Sequence, residues 1–174
     1  MSVLGQNRTH HMSIRDANEA DLPAIVAIYN AAILGRTATA DTHLVTVESR
    51  RAWFHDHDRK TRPLWVALEN DIIVGWLSFQ SFYGRPAYHA TAELSIYIAA
   101  DFQRKGIGNA LLARAIEQAS RLGLKNLLGF IFAHNDASAR LFEKFGFQHW
   151  GVLPRVAEVD GMERDLIIVG CRIA

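Results

Sequence analysis

The sequence predicts a single mixed α/β domain, on three observations. Apolar residues follow a period of two in the strand over 89–98, then a period of about 3.6 through 107–119, and short apolar runs resume after 126. A glycine-bearing turn separates the first two regimes, and 174 residues suit one ordinary domain. The expected order is β-α-α-β-β-β-α-β-α-β-β: a mixed sheet with helices on its faces and no internal repeat.

Residues 1–11 are polar and are expected to form a disordered extension, with Met12 an alternative start and 12–174 the domain. Met12–Asp16 reads as the first strand. Asn18 then caps a helix through Ile25, Ile28 and Tyr29, with Pro23 tolerated in its opening turns. The small, polar run 35–41 is a loop. Thr46 caps a second helix carrying Val47, Arg51, Trp53 and Phe54, which ends at His55-Asp56-His57-Asp58. The apolar runs Leu64–Glu69 and 72–80, joined by Asn70-Asp71, predict an antiparallel hairpin. After a loop over 81–87, a strand over 89–98 leads to a helix whose Ile107, Leu111, Ile116 and Ala119 share one face, stopped by Gly123. Asn126–Phe132 is a short buried strand, and 137–145 is a helix with Gly146 just past its end. Strands around 148–155 and 163–172 complete the set.

Charge is nearly balanced, 19 basic residues against 18 acidic, a formal +1. That argues against holding nucleic acid by bulk electrostatics, which calls for a basic face. The one cysteine, Cys171, allows no intramolecular disulfide and fits a reducing compartment. The polar start lacks the apolar segment of a signal peptide, and charges break each apolar stretch short of a membrane span. A soluble, cytoplasmic protein without a membrane partner is expected. No metal site is expected either. His10-His11 fall in the tail, and His55 and His57 point to different sides of a helix, where a helical ligand pair requires i, i+4 spacing. That run reads as a solvated helix end.

The sharpest local signal is Gln103-Arg104-Lys105-Gly106-Ile107-Gly108, between a strand and a helix. Glycine lets backbone approach a bulky anion, the first-turn N–H groups of the helix point at it, and the helix dipole favours negative charge there. Arg104 and Lys105 add positive charge. A Walker A loop does not fit, because Gly108 is followed by Asn109-Ala110; a dinucleotide fingerprint does not fit, because position 111 is Leu. These six residues alone are also compatible with a plain glycine turn.

Together with the strand Leu94-Ser95-Ile96-Tyr97-Ile98 before it and the long helix after it, the turn resembles the acetyl-coenzyme A motif of the GCN5-related N-acetyltransferase (GNAT) family. Asn135-Asp136-Ala137-Ser138, then Leu141, Lys144, Gly146 and Phe147, resembles that family's N-x-x-S…L-x-x-K-x-G-F segment. The pieces have the family's order and separation, and the resemblance covers roughly residues 12–172. It implies the GNAT fold and acetyl-CoA as co-substrate. Backbone amides of Gln103, Arg104, Lys105, Gly106, Ile107 and Gly108 would hold the pyrophosphate. Backbone groups of Ile96, Tyr97 and Ile98 would meet the pantetheine arm, Asn135 would hydrogen-bond it, and Ser138 would lie nearby. Helix capping also accounts for Asn135 and Ser138 and is compatible with ligand contact.

A narrower resemblance lies upstream. Tyr83-Gly84-Arg85-Pro86-Ala87-Tyr88, followed by Thr91, Glu93, Ser95 and Tyr97, is similar to the phosphinothricin acetyltransferase subgroup, as are Tyr29-Asn30 and Thr37-Ala38-Thr39. That subgroup includes methionine sulfoximine and sulfone acetyltransferases. It implies acetylation of the α-amine of an amino-acid-like substrate by a homodimer.

Acetyl transfer requires a neutral amine, so a base must take a proton, directly or through water. Glu93 is the candidate, lying in an otherwise apolar run (Ala92, Leu94, Ile96) where partial burial raises a carboxylate pKa toward the working range. An ordinary strand carboxylate, facing solvent or an arginine, is the competing reading. A backbone N–H of this strand can polarise the thioester carbonyl. For the leaving thiolate, many relatives place a tyrosine where this chain has Phe142, which cannot donate; His134 is a weak substitute, and a thiol leaves tolerably unaided. Arg85 and Tyr88 are candidates for substrate recognition, an arginine fork matching a carboxylate, though a surface arginine before a turn fits equally.

After Phe147 the subgroup carries a lysine and a Gly-x-Trp-x-Asp segment, whereas this chain reads Val152-Leu153-Pro154-Arg155-Val156-Ala157-Glu158-Val159-Asp160-Gly161. The departure leaves the acceptor open. Two alternatives stand beside the small-amine reading: acetylation of a protein N-terminus, and a non-catalytic acyl-CoA-binding sensor.

Overall fold

The computed structural model describes residues 12–174. The expectations for 1–11, including the alternative start and His10-His11, lie outside the described residues.

Strands β1 (Met12–Asp16), β2 (Leu64–Glu69), β3 (Ile72–Ser81) and β4 (Thr91–Ile98) form an antiparallel run. Strand β5 (Asn126–Phe132) lies parallel to β4, and β6 (Gln148–Val159) and β7 (Met162–Arg172) complete one sheet in the order β1-β2-β3-β4-β5-β7-β6. Helices α1 (Leu22–Gly35) and α2 (Val47–His55) pack on one face, α3 (Ile107–Ala119) and α4 (Asp136–Lys144) on the other. The expected element order and fold class are those observed.

Packing explains where the elements lie. In α3, Ile107, Leu111, Leu112, Ala115 and Ala119 are each at most 3% exposed, a stripe at helical spacing laid over β3, β4 and β5. Each leucine buried this way contributes on the order of 2 kcal/mol. In β4 the period of two sends Ala92, Leu94, Ile96 and Ile98 toward α3, and Glu93, Ser95 and Tyr97 toward α1.

One feature of the register creates the site. Strand β5 pairs with β4 only over Thr91↔Asn126, Ala92↔Leu127 and Glu93↔Leu128, while β3 stays paired with β4 as far as Gly75↔Ile98. Beyond Glu93 the two central strands part, and a cleft opens inside the sheet. Backbone groups of β4 that would have met β5 face that cleft instead.

Several expectations are corrected. Asn18 caps a 3₁₀ turn, Glu19–Asp21, and α1 starts only at Leu22; Arg15 holds Asp21 by paired bonds of 2.6 and 2.8 Å, fixing the entry. Strand β4 starts at Thr91, because His89 closes a 3₁₀ turn, Pro86–Tyr88, with its N–H on the Pro86 carbonyl. Strand β6 runs on to Val159, past Pro154, because the ladder skips from Leu153↔Leu166 to Ala157↔Arg164 and the proline sits in the bulge. His57 is not solvated. Its ring packs edge-on against Trp53 and Nδ1 meets the Trp53 carbonyl at 2.8 Å, and burial lowers its pKa.

Candidate active site

Helix α3 opens on Gly106 at φ 86°, a left-handed conformation that glycine adopts without strain, and no side chain caps the helix. Its first-turn N–H groups therefore have no side-chain acceptor, which is the arrangement that suits an anion. From this turn a groove of about 480 Å³ runs along the parted length of β4 to the loop after α1. Ile96, Tyr97, Ile98, Gln103, Arg104, Gly106, Ile107, Gly108, Asn135 and Ser138 all line it. Among the expected coenzyme-binding residues only Lys105 does not; its Nζ lies over the Phe102 ring, 4.5 Å from the centroid.

The groove also has walls that sequence reasoning missed. Arg140 and Lys144 line it beside Arg104, and Lys144 Nζ donates to Asn109 Oδ1 at 3.2 Å. Their i, i+4 spacing after Asn135 was a readable signal for one basic face of α4. Thr37 and Ala38 line the far end, held by the side chains of α1: Tyr29 Oη donates to Asp41 at 2.6 Å and lies 2.7 Å from Thr39 Oγ1, while Asn30 makes two bonds of 2.9 Å with the Val45 backbone. The donor set fits a coenzyme A moiety. Amides and cations stand at one end for phosphates, and Ile96, Ile98 and Leu141 flank the middle for an alkyl arm.

Asn135 caps α4, its Oδ1 accepting the Ser138 N–H at 3.1 Å. Its Nδ2 has no partner among the described residues, so one side chain can cap the helix and donate into the groove. Phe142 is 4% exposed and packs against Gly129, where a Cβ would fall 2.9 Å from its ring, and it brings no hydroxyl to the site. His134 is exposed and stacks on Phe132.

Glu93 occupies the last β4–β5 rung, at the point where the strands part. It is half-buried, it makes no hydrogen bond or ion pair among the described residues, and burial raises its pKa above the usual carboxylate value. The arginine-paired alternative is not what the structure contains. Arg85 is exposed at the head of the Pro86–Tyr88 turn and lines none of the cavities described; Tyr88 joins Phe82 and Tyr83 in an aromatic cluster by the start of β4. Among the described residues no helix is long and apolar enough to cross a membrane, and no His, Cys, Asp and Glu group is arranged to hold a metal ion.

A strand pair that parts beside a carboxylate, with an uncapped helix start at the mouth of the gap, is an arrangement that suits a coenzyme-dependent group transferase. Comparison with known proteins agrees. The acetyltransferase (GNAT) family profile matches residues 25–147. The Bacillus subtilis protein YwnH, provisionally named a phosphinothricin acetyltransferase, is 51% identical over 160 residues, 91% of this chain and 98% of its own. The L-methionine sulfoximine/L-methionine sulfone acetyltransferase of Salmonella typhimurium is 34% identical, over 89% of this chain and 91% of its own. YncA of Salmonella typhimurium, provisionally an acetyltransferase and solved with its cofactor acetyl-CoA, superposes with a TM-score of 0.88 at 32% identity, covering 94% of each chain. The chain belongs to the GNAT family of acetyltransferases, and its seven-stranded mixed sheet is that family's fold.

Proposed function

We propose that this acetyltransferase moves an acetyl group from acetyl-CoA to the α-amine of a small, amino-acid-like acceptor in a ternary complex, with Glu93 as the base. The position of Glu93 carries the reading: it is half-buried, unpaired among the described residues, and stands at the vertex of the parted strands. When bound, acetyl-CoA supplies the acetyl group activated as a thioester. The amides of Gln103, Arg104, Gly106, Ile107 and Gly108, with the Arg104, Arg140 and Lys144 side chains, would hold its phosphates; the β4 backbone at Ile96, Tyr97 and Ile98 and the Asn135 amide would align its arm. Glu93 takes the proton from the acceptor ammonium and so frees the lone pair, and a β4 backbone N–H beside it polarises the carbonyl. With phenylalanine at position 142, the thiolate leaves without a tyrosine donor, which a thiol of ordinary pKa allows.

The amino-acid-like acceptor is supported by the names of the relatives and by Arg85, an exposed guanidinium with no partner among the described residues and of a kind suited to a carboxylate. We place the enzyme in the cytoplasm as a homodimer of one domain, residues 12–174. Exposed Trp150, Val152, Leu153, Val156 and Met162 on β6 and β7 support the dimer.

The test is Glu93→Gln, read by free-thiol release over a pH series. A base must be deprotonated, and the Glu93 pKa is raised, so the acid limb of wild-type kcat/KM lies above the ordinary glutamate value of about 4.3. Near neutrality the variant should be slower by about 10²–10³. At high pH, where the amine deprotonates itself, it should recover in part. An unchanged profile removes Glu93 as the base. Coenzyme binding with no turnover on any amine favours the sensor alternative.

A further inference from the structure

Beneath α1 and α2 lies a cavity whose floor is the β3–β4 ladder, lined there by Ser78, Gln80 and Ser95. Ser78 pairs with Ser95, and the next pair along is Gln80 with Glu93. By the alternation of strands, Gln80 lies on the face of Ser78 and Glu93 on the face of Ser95, so both rise on the cavity side of the sheet. Gln80 is half-buried, and its amide has no partner among the described residues. Glu93 is unpaired in the same way. Such an amide, with its acceptor and its two donors free, is available to a ligand.

The other neighbours of Glu93 are apolar, engaged or, like Ser95, a rung away. Thr91 Oγ1 accepts from Asn126 Nδ2 at 3.1 Å, and Leu128, opposite on β5, is apolar. Arg62 reaches this end of β4 but donates to the His89 carbonyl at 2.6 Å, and the His89 ring meets the Pro86 carbonyl at 2.9 Å. Of the ionisable groups lining the cavity, Arg50 is paired with Asp41 at 2.9 Å, Tyr29 donates to the same carboxylate at 2.6 Å, and Tyr97 donates to the Ala38 carbonyl at 3.3 Å. Burial alone raises the Glu93 pKa. Directly opposed residues of an antiparallel pair stand about 5 Å apart at Cβ, and glutamine and glutamate have equal reach. One nitrogen therefore fits between their head groups, about 2.9 Å from each.

We infer that Gln80 is a second catalytic residue, whose Oε1 accepts an N–H of the acceptor's reacting nitrogen while Glu93 meets another. This rests on Glu93 as the base. The ammonium arrives with three N–H groups, and one leaves as a proton to the Glu93 carboxylate. The neutral amine keeps two. It donates one to Gln80 Oε1 and one to the carbonyl oxygen of the protonated Glu93, which leaves the lone pair the remaining direction, free for attack. With Glu93 alone, the lone pair stays hydrogen-bonded to the proton it has just given up. Gln80 thus separates taking the proton from aiming the nitrogen.

The experiment compares wild type with Gln80→Met and Gln80→Glu, using acetyl-CoA with methionine sulfone and methionine sulfoximine. Turnover is read by thiol release over a pH series, and coenzyme binding is read separately by calorimetry. Methionine matches glutamine in length, and Gln80 has no hydrogen bond to lose, so the fold is kept. Gln80→Met should lower kcat/KM about tenfold, the loss of one hydrogen bond to the reacting group, and change the coenzyme dissociation constant less than about twofold. Gln80→Glu sets a second carboxylate opposite Glu93, which favours the protonated form of the pair. A base must be deprotonated, so the acid limb of kcat/KM should move to higher pH by about one unit, a shift that a role in folding alone does not produce. Wild-type kcat/KM in Gln80→Met, or a loss matched by weaker coenzyme binding, overturns the inference. So does an unmoved limb in Gln80→Glu when Glu93→Gln has shown that the limb belongs to Glu93. Failure of the base reading looks different: Glu93→Gln then keeps the wild-type profile, and Gln80→Met still judges the contact with the amine.

Discussion

Helices α2 and α3 start in opposite ways. Helix α2 opens on Thr46, whose hydroxyl accepts the Ser49 N–H at 3.1 Å while Ser49 Oγ accepts the Thr46 N–H at 3.1 Å, a reciprocal cap that uses the chain's own donors. Helix α3 opens on Gly106, which has no side chain to offer. Helix α4 is intermediate, since Asn135 caps it with one atom and keeps another free toward the groove. A helix start closed by its own side chains serves the fold. One left open beside cations serves a ligand, and the absence of a cap is then part of the site.

Substitutions at the three starts sharpen that contrast. The largest effect is expected at Gly106. Alanine at φ 86° is strained by about 1–2 kcal/mol and tilts the amides that face the groove, so the coenzyme dissociation constant measured by calorimetry should rise at least about tenfold. Asn135→Ala should cost about 1 kcal/mol of stability through the cap and weaken coenzyme about fivefold through the lost donor. Asn135→Asp, which caps but cannot donate, should keep the stability in thermal denaturation and lose the affinity. The smallest effect on the site belongs to Thr46→Ala: about 1 kcal/mol of stability, a fall in Tm of about 2–4 °C, and an unchanged coenzyme dissociation constant. If Thr46→Ala weakened coenzyme as much as Gly106→Ala does, the distinction between closed and open starts would be broken.

The legible parts of the site were those carried by local chemistry. Gly106 before an apolar helix and Gly108 in its first turn announce a positive φ at the first and close approach at the second, and all but one of the eleven residues expected at the coenzyme line the groove. Glu93 stood out as a carboxylate among apolar neighbours, and its pKa is indeed raised by burial. What was missed depends on distant contacts. His57 was read as part of a solvated helix end, but Trp53 one turn earlier draws it inward. Arg140 and Lys144 became groove residues only when α4 was laid across the end of α3. Ser78, a polar residue in an apolar strand, shows only in the assembled fold as a buried hydroxyl, without a partner among the described residues, facing a cavity closed by two helices.

By itself the sequence determined the order of elements, the two faces of β4 and the glycine turn that opens α3, because periodicity, capping and glycine geometry act over a few residues. Tertiary structure alone decided where β4 and β5 part. Nothing in either strand's alternation marks Glu93↔Leu128 as their last rung, since register is set by what packs on both faces of the sheet and by β7 holding β5 along its whole length. The cleft, and with it the position of Glu93, is a property of the assembled sheet.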